Sequence, residues 1–298
     1  MDELYMLPFD HRASFEHGLF GWSGPLSREQ AAQIGASKQV VYEGLLAAID
    51  AGVSRTRAAV LVDEQFGRAI LADARASGLV TACPVEKSGQ AELDFEYGDD
   101  YARHIESMNP TYCKVLVRYN PHGDAALNRR QRDKLRALSA YLHRSRRRFL
   151  FELLVPAEPD QLALLDYDLE LRPKLAVAAM RELQDAEVEP DVWKLEGFDR
   201  RDDCLAAAET ARRDGRRDVT CIVLGRHADD ARVQHWLDVA ATVPVFVGFA
   251  VGRSTFWQPL QDLLAERMDR ADAVLAIAHD FRRWVDTWTA ARRGCTVE

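Results

Sequence analysis

Short runs of apolar, β-branched and aromatic residues recur along the whole chain. Each is followed by turn residues and then by a stretch in which apolar positions repeat at helical spacing. Eight such runs stand out: Leu4–Phe9, Ala58–Val62, Leu79–Pro84, Tyr112–Tyr119, Phe149–Pro156, Val192–Phe198, Val219–Leu224 and Val245–Ala250. They lie a few tens of residues apart, which leaves room for a crossover helix between successive strands. Helix signals fill the gaps. Ser27 and Gln30 have the form of a capping box, Val41, Leu45 and Ile49 repeat every fourth residue, and Gly52 stands where that helix should close. Gly78 and Gly215 follow Ala/Arg-rich stretches, where a helix-terminating glycine is expected. A last helical region, Pro259 to Ala291, is long enough to be broken in two; its Trp284 and Trp288 look exposed, which suggests a homo-oligomer, with burial in the core as the alternative.

Eight strand–helix units with no linker or charge block between halves predict a (β/α)8 TIM barrel, an α/β fold. It should occupy residues 1–298 as one domain with a C-terminal helical extension. The rival is an open Rossmann-like sheet, but no GxGxxG follows the first strand, and neither Ser23–Pro25 nor the GFAVGR near residue 250 supplies one. With 298 residues, 47% apolar and 29% charged, the chain can bury a large core. A net charge of -8 disfavours a nucleic-acid coat or an anionic-membrane binder and leaves room for a local basic pocket. The five cysteines form no CxxC pair and none is spaced for zinc, which fits a reducing compartment. With no signal-peptide pattern and no apolar run of about 18 residues, a cytoplasmic protein without a membrane span is expected.

Charge placement narrows the function. The chain has 33 arginines and only six lysines. Lys38, Lys134 and Lys174 lie in helical stretches among polar neighbours and read as solvated. Lys87, Lys114 and Lys194 lie within or at the ends of strands. In TYCKVLVRY, alternation puts Lys114, Leu116 and Arg118 on one face; Glu152 shares parity with Leu150 and Leu154, and Lys194 with Glu196. The bulkier alternate sets should pack against the helices, so strands four to six send Lys114, Glu152 and Lys194 into the barrel as neighbours. An unpaired buried charge costs several kcal/mol, so these three either compensate one another as an ion-pair cluster or serve chemistry. The chemical reading is a lysine nucleophile whose pKa is lowered by a second ammonium, with a carboxylate to shuttle protons, as Schiff-base catalysis requires. Spacing leaves open which lysine attacks.

The eighth run continues as VFVGFAVGRSTFW. Gly248 and Gly252 permit close backbone approach and Arg253 can clamp an anion, at the place where such barrels commonly hold phosphate. The seventh run ends in LGRHAD, which adds Gly225 and Arg226 beside it. The ends of the first three runs, PFDHRASF, VDEQFG and CPVEKSG, place Asp10, Arg12, Asp63, Glu86 and Lys87 around the same C-terminal face. His11 is expected to hydrogen-bond within its loop.

The segments YMLPFDHRASF, CPVEKSG, KVLVRYNP, FELLVP, DVWKLEGFD and GFAVGRSTFW resemble the aldolase-like domain found at the C-terminal end of fused bacterial 5-dehydro-2-deoxygluconokinases. They are more distantly similar to class I tagatose-1,6-bisphosphate aldolases. The resemblance runs from about Leu4 to the final helix. It implies a class I aldolase of inositol catabolism that needs no metal or other cofactor and cleaves 2-deoxy-5-keto-gluconate 6-phosphate to dihydroxyacetone phosphate and malonate semialdehyde. It also implies that Lys194 forms the imine, Glu152 transfers protons, Lys114 sits beside them, and Gly252 and Arg253 bind phosphate. Arg12 or Arg118 is then the candidate partner of the substrate carboxylate. Other ketose phosphates, including ketohexose bisphosphates and sulfonated sugar phosphates, remain alternatives. A metal-dependent aldolase would need a His and carboxylate cluster at strand ends, whereas the eight histidines, His227 of LGRHAD among them, fall mostly in loops and helices. A non-catalytic sugar-phosphate sensor would have little need of three inward charges.

Overall fold

A computed structural model describes residues 3–163, 166–226 and 228–294. Eight parallel strands close into a barrel in chain order: β1 Leu4–Pro8, β2 Ala58–Leu61, β3 Val80–Pro84, β4 Tyr112–Arg118, β5 Arg148–Leu154, β6 Val192–Glu196, β7 Thr220–Leu224 and β8 Phe246–Ala250. The expected TIM barrel is the observed fold. Around it run α1 Arg28–Asp50, α2 Glu64–Ala76, α3 Tyr101–Met108, α4 Ala125–Arg144, α5 Arg172–Asp185, α6 Arg201–Ala211, α7 Asp230–Ala241, α8 Arg253–Leu264 and α9 Arg270–Gly294.

Two apolar layers follow from strand alternation. Leu4, Met6, Leu61, Leu150, Val192 and Ile222 fill the barrel, while Phe149, Phe151, Trp193 and Leu195 pack outward against the helices. The β1/β8 seam is tight, and a Cβ on Gly248 would stand 1.9 Å from the Leu4 carbonyl oxygen. Glycine is required there for the barrel to close.

Local signals act as read at several ends. Ser27 Oγ accepts from the Gln30 N–H while Gln30 Oε1 accepts from the Ser27 N–H, which completes the box that opens α1. Gly52 and Gly78 take the left-handed backbone (φ +112° and +74°) just past α1 and α2. The terminal region is two helices, α8 and α9, with Pro259 inside the first. Trp284 and Trp288 are fully buried, not exposed, because α9 folds back over α1, α7 and α8; they give no support for an oligomer. No helix among the described residues is long and apolar enough to cross a membrane.

Lys38 departs from its expected solvated position. It is fully buried, ion-paired with Asp63, and stands 5.0 Å over the Phe15 ring and 5.4 Å over that of Phe66. Its polar sequence neighbours mask the fact that its own face of α1 looks inward. Lys174 is exposed, as expected.

Candidate active site

The C-terminal ends of the strands surround a cavity of about 310 Å³. Its floor comes from β4, β5 and β6. In their register Glu152 stands directly opposite Lys194, and Lys114, level with Leu150, lies deeper in the barrel. Glu152 bridges the two amines, with Oε1 2.7 Å from Lys194 Nζ and Oε2 3.1 Å from Lys114 Nζ. Lys114 Nζ also donates to Asp10 Oδ2 at 2.8 Å, just after β1, and to Glu86 Oε1 at 2.6 Å, just after β3.

These contacts set the charges. Burial works against the Lys114 cation, but Asp10, Glu152 and Glu86 outweigh it and hold the amine protonated well above its ordinary range. Burial likewise raises Glu152, yet Lys114 and Lys194 prevail and keep it below the usual carboxylate range. Asp10 is lowered in the same way: burial is overcome by Lys114, His11 and Lys194. At Glu86 burial wins over Lys114 and the carboxyl is raised. Lys114 is therefore held as a cation, whereas the one ion-pair partner of Lys194 among the described residues is the shared carboxylate of Glu152.

The cavity wall from β7 and β8 carries two arginines, Arg226 and Arg253. Gly252 precedes α8, and a Cβ there would lie 2.2 Å from the Pro8 carbonyl oxygen, so only glycine allows this approach. The guanidinium of Arg253, at the first turn of α8, donates to Ser14 Oγ and lies 5.3 Å over the Trp257 ring. Arg226, beside Gly225, is held by Glu196 Oε1 at 2.7 Å and by Asp168. On the opposite rim, Lys87 pairs with Asp94 at 2.8 Å, and the exposed Arg118 donates to the Gln90 carbonyl at 2.8 Å. The N-terminal end of α8 together with Arg253 suits an anion, whereas Arg226 is taken up by its two carboxylates.

The sequence of this chain belongs to a bacterial family. It is a member of the family described as "Uncharacterized protein conserved in bacteria (DUF2090)", which matches residues 1–292. No curated protein matches the DUF2090 chain in sequence. Among solved structures, it is similar to a Plasmodium falciparum fructose-bisphosphate aldolase (10% identity, 97% of this chain and 91% of that one, TM-score 0.68). It is also similar to an archaeal fructose-1,6-bisphosphate aldolase whose catalytic lysine is bound to a carbinolamine intermediate (14%, 96% and 93%, TM-score 0.57). A Schiff-base-forming fructose-1,6-bisphosphate aldolase aligns as well (13%, 93% of each chain, TM-score 0.55). At these identities the likeness is one of fold.

Of the residues singled out in the DUF2090 sequence, Lys114, Glu152, Lys194 and Asp10 converge, and Arg12, Lys87, Arg118, Gly225, Arg226, Gly252 and Arg253 line the same cavity. Asp63 does not. It is fully buried as the N-cap of α2, accepting from the Phe66 N–H at 2.9 Å, with its other oxygen on Lys38. Its acidic character serves a cap and a buried pair, not the rim. Arg12 is itself buried, bound to Glu96 Oε2 at 2.9 Å and to the Glu86 carbonyl at 2.5 Å, so it ties β1 to the segment after β3. The expected loop hydrogen bond of His11 is missing at Nδ1, which is buried without a hydrogen-bond partner; the ring meets Phe256 edge-on at 6.1 Å. His227 lies outside the described residues. Sequence reasoning passed over Ser14, whose place beside Arg253 depends on β1 and β8 being neighbours at closure.

Proposed function

We propose that this protein is a class I aldolase that cleaves a keto-sugar phosphate through a Schiff base on Lys194. The observation that carries this reading is the bridging of Lys194 and the permanently charged Lys114 by the single carboxylate of Glu152. An amine beside a fixed cation, with a carboxylate to take its proton, has the parts an imine-forming lysine needs. The three carboxylate partners that keep Lys114 protonated argue against it as the nucleophile.

In the proposed reaction, Arg253 and the amides at the start of α8 hold the phosphate and present the ketone to Lys194. The neutral amine adds to the carbonyl carbon, and loss of water gives a protonated imine. Glu152 then takes the proton of the hydroxyl two carbons from the imine carbon. The carbon–carbon bond breaks toward the imine, which receives the electron pair as an enamine, while the hydroxyl carbon leaves as an aldehyde. Protonation of the enamine and addition of water return the amine and release the second fragment.

The resemblance to the aldolase-like domain of deoxygluconokinase fusions favours 2-deoxy-5-keto-gluconate 6-phosphate, giving dihydroxyacetone phosphate and malonate semialdehyde. Arg118 suits its carboxylate better than Arg12, because Arg118 is exposed at the mouth and Arg12 is buried and engaged.

Borohydride reduction in the presence of dihydroxyacetone phosphate, followed by peptide mass mapping, should give one adduct, on Lys194. An adduct on another lysine, or none, overturns the assignment. Release of dihydroxyacetone phosphate from a panel of keto-sugar phosphates then identifies the substrate, and Arg253→Ala should raise KM for it by about 10- to 100-fold, the worth of a hydrogen bond to a charged group.

A further inference from the structure

On the outer side of β3, α2, β3 and α3 meet over three side chains of metal-binding type. Glu64 opens α2, Cys83 lies on β3 and His104 on α3, and all three are buried. Glu64 Oε2 stands 3.5 Å from Cys83 Sγ and 3.7 Å from His104 Nε2, and one ligand atom from each residue lies within 4.8 Å of the other two. His104 is only 7% exposed, and its Nε2, sealed from solvent, makes no hydrogen bond. A sealed, unpartnered nitrogen of this kind destabilises a fold unless something occupies it. It is aimed at the other two groups.

The spacing is that of a tetrahedron's edges. An ion bonded to sulfur at about 2.3 Å and to nitrogen and oxygen at about 2.0–2.1 Å holds oxygen and sulfur about 3.5 Å apart, and oxygen and nitrogen about 3.4 Å apart. The charges also balance, since a carboxylate and a thiolate together neutralise a dication, and a neutral buried assembly avoids the cost of burying net charge.

We propose that Glu64, Cys83 and His104 form a binding site for one zinc ion, with water as the fourth ligand. On binding, the Cys83 S–H proton passes to solvent as the sulfur–zinc bond forms. The ion links α2, β3 and α3 just ahead of the segment after β3, where Glu86 pairs with Phe95 in an antiparallel bridge and Lys87 lines the cavity mouth. It stiffens that wall and takes no part in the imine chemistry, so the proposal stands apart from the catalytic one.

The test uses metal-stripped full-length protein titrated with CoCl2 and then ZnCl2. A thiolate–cobalt charge-transfer band in the near ultraviolet should saturate at one equivalent and be abolished by one equivalent of zinc, and zinc should raise the Tm. Cys83→Ser should lose the band and His104→Gln should weaken it and shift it. Absence of the band in the wild-type protein, or an unchanged band in Cys83→Ser, overturns the proposal. Should Cys83→Ser fail to fold by circular dichroism, His104→Gln decides, and an unchanged band there overturns it equally.

Discussion

Glu152 and Lys194 face each other in register across β5 and β6, their oxygen and nitrogen 2.7 Å apart at the floor of the cavity. Strand order alone produces this pair, because both side chains have inward parity and parallel neighbours keep inward residues level. The second oxygen of Glu152 rests on Lys114. One carboxylate therefore sits where it can receive a proton from either amine or from a bound hydroxyl.

Replacing that carboxylate with an amide of the same shape separates the two halves of the chemistry. Glu152→Gln should retain borohydride-trappable adduct on Lys194 while kcat falls about 10²- to 10⁴-fold, the range for loss of a positioned acid or base. Steady-state kinetics and trapping on the same sample check this, and turnover within a few-fold of wild type would remove Glu152 from the mechanism.

Lys114→Met leaves Asp10, Glu86 and Glu152 with a single ammonium among them. Removing one partner from a buried ion cluster costs about 3–5 kcal/mol, so a loss of that size is expected at pH 7. In the wild type Asp10 and Glu152 are held below their ordinary range, so their stabilisation is full above the unfolded values near 4 and is lost as the pH falls further. Without the cation burial raises both groups, and the folded variant gains protons sooner than its unfolded chain. The stability gap between the two proteins should thus narrow from pH 7 to pH 4. Urea denaturation at both values measures it, and an unchanged gap would mean that Lys114 does not hold these charges.

Inward parity for Lys114, Glu152 and Lys194 was legible in the sequence because it needs only alternation along single strands, and their adjacency needs only that consecutive strands pair. The placement of Gly252 and Arg253 at the cavity was legible because a glycine and a cation open the helix after β8. Asp63 misled, since an acid after a strand reads equally as a rim ligand or as a helix cap; Lys38 shares the inward stripe of α1 with Ile34, Val41, Tyr42 and Leu45, and its charge and its polar neighbours Ser37 and Gln39 hid that. Glu64, Cys83 and His104 are separated by 19 and 21 residues along the chain, so no local spacing rule reports that two helices and a strand bring them together.

His11 should govern stability in mildly acidic solution. Burial first, then Arg253 and Lys194, push its imidazole down to about 3 against the opposing pull of Asp10. The folded protein thus keeps His11 neutral where the unfolded chain protonates it at about 6.5. With the folded value lowered, the contribution is complete above pH 6.5 and drains away as the pH falls toward 3, at up to about 1.4 kcal/mol per pH unit. His11→Asn should lack this slope between pH 6.5 and 5. Parallel stability curves for the two proteins over that interval would contradict the buried neutral imidazole.

The Lys38–Asp63 pair tests whether a charge far from the cavity can be more costly to remove than one at its mouth. Both side chains are fully buried, and Asp63 also caps α2 through the Phe66 N–H. Asp63→Ala strands a buried ammonium and leaves a helix uncapped, so the expected loss is about 3–5 kcal/mol for the charge and about 1 kcal/mol for the cap. In Lys38→Met with Asp63→Ala no ammonium is left stranded, so most of the stability lost to the unpaired charge should return, while the loss from the missing cap persists. Lys87→Met, at the mouth, breaks only an exposed pair with Asp94 and should cost less than about 1 kcal/mol. Denaturation midpoints for the wild type and the three variants decide the matter. If the double variant is as unstable as Asp63→Ala, the cost lies in the lost acid itself rather than in the lysine it leaves unpaired.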